Sequence, residues 1–438
     1  MKESNLFEWG PGHGYRFTHD WFRFPGKFHP PLIEHILKSI NPTGVVDPMA
    51  GVGTVAVEAK AAGIPSLSLD IDPVSVFFTR AKTTPVSSDT LKAAWKYLSA
   101  SLDEFRREKG EIEIRKFRDL RVDLMRKELD DVGALDLKKL SYWFRRYVLV
   151  DYARIDHAIY NGGLPGRSEY TRRFFLACLI SSIRRISYAD PSPVSGLEIT
   201  KHMREKFNDG YEVDVFGEFG RRVDLAIRRM DEYVTYLKEK GTYDTPCCSL
   251  QGDSANLSNI SPPRDFTADL ILFSPPYCNA IEYWRRHRLE YLLGHFLDEQ
   301  GIIQLHKKFI GRRVTGAAIE PIPRLGFPPI DDLLRDLVGE KRSHKARLLY
   351  QYFDDMEKRL MAFHGFLPDN GSCIIVVGDS KTGERRIPTA DTLAWLGQEK
   401  GFRHMGTSQY DIKDRVMQFP VKSNSKIERE SIIFLRKA

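Results

Sequence analysis

Between residues 44 and 63 the chain passes from a short apolar run, through a cluster of small residues, into an alanine-rich segment, and that order constrains the fold more than any other feature. Gly44-Val45-Val46-Asp47 reads as a buried strand, residues 48–53 as a tight turn, and residues 54–62 as a helix closed by Gly63 at its C-cap. The pattern repeats at once, with a strand at residues 66–69, a turn at Asp70-Ile71-Asp72-Pro73 and a helix at residues 74–82. Two such units in succession predict a parallel sheet with right-handed crossovers. Upstream, residues 32–40 have helical apolar spacing and stop at Asn41-Pro42-Thr43-Gly44.

After Pro85 the texture changes. Residues 86–245 are charged, with apolar residues three and four apart, as at Phe117, Leu120 and Leu124 and again at Leu176, Leu179 and Ile183, so this stretch reads as a helical insertion. Strand signals return at Cys248-Ser249-Leu250 before Gly252-Asp253-Ser254, at residues 268–273 before Ser274-Pro275-Pro276-Tyr277, at residues 373–377 before Gly378-Asp379-Ser380, and at residues 431–435. The expected division is residues 1–85 for the first half of an α/β core, 86–245 for the insertion, 246–297 for the part carrying the chemistry, 298–345 for a long connection, and 346–438 for the end of the core. The connection holds His306-Lys307-Lys308, Gly311-Arg312-Arg313 and a Pro/Gly-rich stretch, and loops of such length are commonly functional. No internal repeat or low-complexity tract is visible.

With 438 residues, 42% hydrophobic and 29% charged, the chain can build a large core, which excludes disorder as its main state. Its longest apolar uncharged run, residues 174–183, falls far short of the roughly 20 residues of a membrane helix. No apolar segment stands behind a basic start, so a cytoplasmic location is expected. The five cysteines form no disulfide framework and no zinc spacing, so they read as reduced thiols and no metal is expected. A net charge of +7 favours a polyanionic partner, and basic residues cluster at Arg106, Arg107, Lys109, Arg115, Lys116, Arg118, Arg121, Arg126 and Lys127. A solvated helix face explains that cluster equally well.

In Asp47-Pro48-Met49-Ala50-Gly51-Val52-Gly53-Thr54 the small residues allow close approach of a ligand, and the helix start offers free N–H groups. A dinucleotide fingerprint is incomplete, because Ala56 stands where the third glycine belongs and Asp47 would repel a pyrophosphate. The carboxylate instead suits a positive amino group, such as that of the amino-acid half of S-adenosylmethionine. Asp70 closes the second strand, where it can accept both ribose hydroxyls, with Ile71 beside it; Asp72 reads better as the cap of the next helix. Asp253, followed by Ser254, is placed to meet an adenine amino group or to form an Asx-turn. Ser274-Pro275-Pro276-Tyr277 follows a strand buried on both faces, at the sheet end where such folds bind ligands. Its prolines deny backbone donors and leave carbonyls beside a hydroxyl and a ring. That set suits a planar base bearing an NH₂ group, held by Ser274 and the Pro275 carbonyl, with Tyr277 stacked on it.

In this order the motifs resemble the class I methyltransferase fold, and specifically the DNA amino-methyltransferases. Asp47 to Thr54 is similar to the D-P-F-x-G-x-G-T signature of that family, with Met49 for Phe, and Ser274 to Tyr277 to its S/N/D-P-P-Y/F signature. Lys27-Phe28-His29-Pro30 is similar to the N-terminal cofactor-contacting segment. The resemblance covers residues 20–84, 246–294 and 350 onward, and leaves out the insertion. It implies a Rossmann-like, mostly parallel sheet flanked by helices, S-adenosylmethionine as cofactor, and transfer to an exocyclic amino nitrogen of a base extruded from double-stranded DNA, cytosine N4 ahead of adenine N6. The implied catalytic residues are Ser274, Pro275, Pro276 and Tyr277, and the implied cofactor residues are Lys27, His29, residues 47–51, Gly53, Thr54, Asp70, Ile71, Asp253 and Ser254. A cognate restriction endonuclease would be a partner. An RNA amino-methyltransferase and a non-catalytic nucleic-acid-binding protein remain as alternatives, with a nicotinamide dehydrogenase well behind.

Several residues stay open. Lys27 and His29 can touch the methionine carboxylate or flank a turn. Arg285, Arg286 and Arg288 can grip phosphates or lie solvated. Ser187-Tyr188-Ala189-Asp190-Pro191 is unusual and carries no assigned chemistry, and Trp284 and Trp395 read as core. Cys278, just beyond Tyr277, is the one thiol near the expected site.

Overall fold

The computed structural model describes residues 16–24, 26–110, 140–161, 164, 169–191, 197–260, 262–278, 283–311, 322–378, 380–383, 385–411 and 429–438. Helix α1 (Pro30–Ile40) leads into β1 (Val45–Asp47), α2 (Thr54–Ala62), β2 (Ser66–Asp70) and α3 (Pro73–Thr83). Then come α4 (Ser88–Gly110), α5 (Arg146–Asn161), α6 (Glu169–Ile186), α7 (Lys201–Asn208) and α8 (Val215–Lys240). The sheet resumes with β3 (Cys247–Gln251) and β4 (Leu270–Phe273), followed by α9 (Tyr283–Arg286), α10 (Arg288–Leu293), α11 (Glu299–His306), α12 (Pro328–Gly339) and α13 (Ser343–Phe366). The chain ends with β5 (Ser372–Gly378), a hairpin of β6 (Ser380–Thr382) and β7 (Arg385–Ile387), α14 (Thr389–Glu399), β8 (Phe402–Asp411) and β9 (Arg429–Lys437).

Seven strands form one sheet in the order β3-β2-β1-β4-β5-β9-β8. The first five are parallel, and β9 runs antiparallel between β5 and β8. A mostly parallel sheet of this order flanked by helices is the class I, Rossmann-like methyltransferase fold. Successive side chains point to opposite faces, and both faces are covered, so the central strands β1, β4 and β5 are mostly apolar. Val46, Leu67, Ile271, Phe273 and Ile375 pack on one side with α13 and α14, while Val45, Leu270, Leu272 and Ile374 pack on the other with α1 and α2. The chain travels outward from β1 to β3 and then reverses to β4 and β5. The reversal leaves a crevice between the carboxyl ends of β1 and β4, where ligands bind in such sheets.

Local chemistry explains the boundaries. Pro30 and Pro31 open α1, where their missing N–H groups cost nothing, and Asn41 ends it in the left-handed conformation. Gly63 closes α2 as expected, at φ 77°. Asp72 caps α3 by accepting from the Val74 N–H at 2.8 Å. Residues 86–245 contain α4 to α8 and no strand among the described residues, and these helices share a single apolar cluster with Val57, Val74 and Phe78 of the core. The basic side chains from Arg106 to Lys127 lie outside the described residues, as do Asp379, Arg312 and Arg313. The stretch 298–345 contains α11 and α12, and the final strand signal belongs to β9. Trp395 stacks on Phe327 at 5.3 Å, and Trp284 is half-buried against the helical cluster beside His306. No helix among the described residues is long and apolar enough to cross a membrane.

Candidate active site

The loops leaving β1, β2, β3 and β4 all open on one cleft at the carboxyl end of the sheet, where such folds bind small molecules. Its floor is the segment after β1. Asp47 is 2% exposed, and its carboxylate accepts the Met49 N–H at 3.1 Å, which sets the turn. Burial pushes the Asp47 carboxyl well above its ordinary value; the Met49 N–H opposes this and the charge of Asp70 adds to it. Pro48, Met49, Ala50, Gly51 and Thr54 line the cleft. Gly51 and Gly53 have φ of 50° and 76°, and a Cβ on Gly51 would stand 2.9 Å from the Phe24 ring. On Gly53 it would stand 2.7 Å from Thr79. Two residues of α3 brace the loop: Thr79 donates to the Gly51 carbonyl at 3.3 Å, and the fully buried Lys82 donates to the Val52 carbonyl at 2.8 Å. They lie three apart on one face of the helix, the one sequence signal that could have found them.

The acidic residues divide as their positions in the turns suggest. Asp70 lines the cleft, accepting from the Gly51 N–H at 2.8 Å and the Asp72 N–H at 2.9 Å. Burial, then the Asp72 charge, raise its carboxyl to about 7, against those two N–H groups. Each oxygen keeps a lone pair for a ligand hydroxyl. Asp72 is bound through its second oxygen to His287 at 2.7 Å, a buried pair that joins α3 to the segment before α10. Asp253 caps the turn at Ser254–Asn259 through the Ala255 N–H at 3.0 Å and pairs with Arg359 at 2.8 Å. Ser254 lines the cleft and accepts from Arg359 at 3.1 Å. Arg359 comes from α13, more than a hundred residues away, and nothing in the sequence pointed to it.

Ser274, Pro275, Pro276 and Tyr277 form the opposite wall, facing the glycine loop across the cleft. The Tyr277 hydroxyl donates to Glu430 of β9 at 3.3 Å, and the Tyr410 hydroxyl of β8 donates to the other oxygen of the same carboxylate. Burial holds the Glu430 carboxyl above its ordinary value, with the two tyrosine hydroxyls pulling it back. Cys278 turns away into the core, 4% exposed, with its sulfur 3.6 Å from the Thr389 hydroxyl. Burial pushes its thiol up, so it is no ready nucleophile. Lys27 and Phe28 complete the rim; the Lys27 ammonium donates to the His19 carbonyl at 2.7 Å, and burial lowers it to about 8. His29 sits at the N-cap of α1, just outside that rim.

No protein-family model matches the chain. It is 22% identical over 430 residues to the type II methyltransferase M.MvaI of Kocuria varians, covering 95% of this chain and 88% of that one. The chain resembles type II methyltransferases. A second, M.MjaII of Methanocaldococcus jannaschii, is 22% identical over 426 residues, covering 85% of this chain and 74% of the relative. A third, M.BsoBI of Geobacillus stearothermophilus, is 23% identical over 314 residues, covering 66% and 55%. The similarity to M.MvaI runs through the helical insertion, which the motifs alone did not reach, and it agrees with the resemblance to DNA amino-methyltransferases carried by Asp47–Thr54 and Ser274–Tyr277.

Proposed function

We propose that the protein transfers a methyl group from S-adenosylmethionine to the exocyclic amino nitrogen of a DNA base, cytosine N4 ahead of adenine N6. The observation that carries this is the single cleft in which a glycine-rich loop faces Ser274-Pro275-Pro276-Tyr277. S-adenosylmethionine supplies a methyl group already activated by its sulfonium. The residues present fit such a molecule: two glycines without room for a Cβ, an aspartate at the end of β2, and the apolar rim of Phe24, Phe28, Met49 and Ile71. Gly51 and its neighbours would cradle the amino-acid half, and Asp70 would accept from the ribose. Asp47 would act from beneath, its carboxyl accepting the Met49 N–H that sets the loop.

On the target side, Tyr277 stacks the extruded base, and Ser274 with the Pro275 carbonyl accepts its NH₂ protons. Those bonds draw the lone pair out of the ring and aim it at the methyl group, so catalysis is proximity and electrostatics. Once the methyl has arrived and the nitrogen has become acidic, its extra proton passes to water. Cys278, buried and protonated, leaves carbon-5 of cytosine without its nucleophile. The test is methylation of duplex DNA with labelled cofactor, followed by nucleoside analysis. N4-methylcytosine or N6-methyladenine supports the reading, 5-methylcytosine refutes it, and label in RNA alone moves it to the RNA alternative.

A further inference from the structure

A second cleft lies behind the first, between the N-terminal segment, α6, α8 and the start of α10, and five arginines line it: Arg23, Arg184, Arg185, Arg222 and Arg286. His287 is part of its wall, and through Asp72 it touches the wall of the methylation cleft. The two carboxylates that line it, Asp20 and Glu290, are outnumbered by the arginines, although one buried oxygen of each has no partner among the described residues. Glu218 takes Arg185 at 3.5 Å, Arg222 at 3.2 Å and Arg221 at 2.7 Å, Asp20 takes Arg229 at 2.9 Å, and Glu290 faces Arg184 at 3.9 Å. Burial, and then the charges of Arg184 and Arg185, pull Arg23 below its ordinary value, with the charge of Asp190 opposing them.

Unsatisfied polar atoms provide a second, independent observation. Among the described residues the Trp21 indole N–H has no acceptor, although the residue is 4% exposed, and the His287 Nε2, 3% exposed, has no partner on the edge away from Asp72. Both residues line this cleft. Buried donors are almost always satisfied in folded proteins, so a lining of guanidinium groups and an idle indole N–H calls for an oxyanion. We propose that this cleft is a phosphate site that anchors the polynucleotide backbone beside the methylation cleft. The inference rests on the proposed function, since the backbone belongs to the same substrate. It also gives Arg286 a task, and gives one to Pro191 at the end of the unexplained 187–191 segment, whose carbonyl holds Arg23 at 2.5 Å.

The test compares the wild type with the double variant Arg23→Gln, Arg185→Gln. Both side chains stand at the mouth of the cleft, Arg185 61% exposed, and neither lines the methylation cleft, so folding and cofactor affinity are expected to hold. Duplex binding is expected to weaken about tenfold, with the dependence of log Kd on log salt falling by about one unit, as for one lost phosphate contact. A methylphosphonate scan of the oligonucleotide is expected to find one position that weakens the wild type and leaves the variant unchanged. An unchanged salt slope in an enzyme that still methylates DNA overturns the anchoring site and leaves the function standing. A wild type that binds no polynucleotide overturns both. Stabilisation of the wild type alone by inorganic phosphate at fixed ionic strength, with no sensitive position in the scan, overturns the backbone assignment in favour of a free anion.

Discussion

The two walls of the proposed methylation cleft are held in different ways. The glycine-loop wall is fixed from within the β1–α3 segment: Asp47 holds Met49, Asp70 holds Gly51 and Asp72, Asp72 holds Val74, and Thr79 and Lys82 brace the loop. The Ser274–Tyr277 wall is aimed from far along the chain, because the carboxylate that holds Tyr277 belongs to Glu430 on β9. A change in the first wall therefore disturbs the loop and the cofactor together. A change behind the second disturbs the orientation of the ring and leaves the loop alone.

The largest expected effect is on the first wall. Asp70→Ala removes an acceptor from two loop N–H groups and from the ribose, and is expected to weaken S-adenosylmethionine binding by about 1.5–3 kcal/mol in calorimetry, the scale of hydrogen bonds to a charged group. Unchanged affinity in a folded variant would break the comparison, because the loop would then not depend on its neighbours. Next comes the second wall. Glu430→Ala is expected to lower kcat by roughly tenfold, about 1.4 kcal/mol, with the cofactor Kd unmoved. Tyr277→Phe is expected to lower kcat similarly, since the ring remains and its tether is lost. Combining Tyr277→Phe with Glu430→Ala is expected to cost little more than either alone, as for two residues sharing one contact. Additive losses would detach Glu430 from the ring.

What was legible in the sequence follows the same division. The β1 loop, the capping role of Asp72 and the strand before Ser274 are local patterns, and each was readable from a few adjacent residues. Lys82, Arg359, His287 and Glu430 act across the fold, at positions where their own neighbours look like ordinary helix or strand. Strand β8 and the β6–β7 hairpin were missed for a related reason. Phe402–Asp411 is polar and its outer edge carries no partner strand among the described residues, so the apolar alternation that marks a buried strand is absent. The reading of Tyr277 as a stacking ring without use for its hydroxyl was incomplete, because nothing near it in sequence announces the carboxylate it meets.

Proton linkage sharpens the first wall further. Asp70 is raised to about 7 in the folded protein, against an ordinary value of 3.8, chiefly by burial. The folded state therefore holds the proton more tightly than the unfolded chain does. Asp70 disfavours the unliganded fold increasingly as pH rises from about 4 to about 7. A ribose donating two hydroxyls prefers the ionised carboxylate, so cofactor affinity is expected to rise with pH up to about 7, by at most tenfold per unit, and then level off. Asp70→Asn is expected to flatten this profile in titrations between pH 5.5 and 8.5. A profile that survives in the variant would place the titrating group elsewhere.

The smallest effect is expected at Cys278, and its smallness is the point. The thiol adjoins Tyr277 in sequence, yet it packs 4% exposed beneath the wall with Thr389 as its partner. Serine in its place keeps a donor and an acceptor at nearly the same spot, so Cys278→Ser is expected to change the rate of methyl transfer by no more than about twofold, within the spread of a mild core substitution. A thiolate mechanism predicts the reverse: abolished transfer in the variant, and in the parent a covalent adduct with DNA containing a carbon-5-trapping cytosine analogue. Burial argues against it, because a thiol raised above its ordinary value is rarely ionised at neutral pH and is screened from the base by the Tyr277 wall. An adduct would mean that the wall opens, and the division between a locally fixed cofactor side and a remotely aimed target side would have to be redrawn around a moving loop.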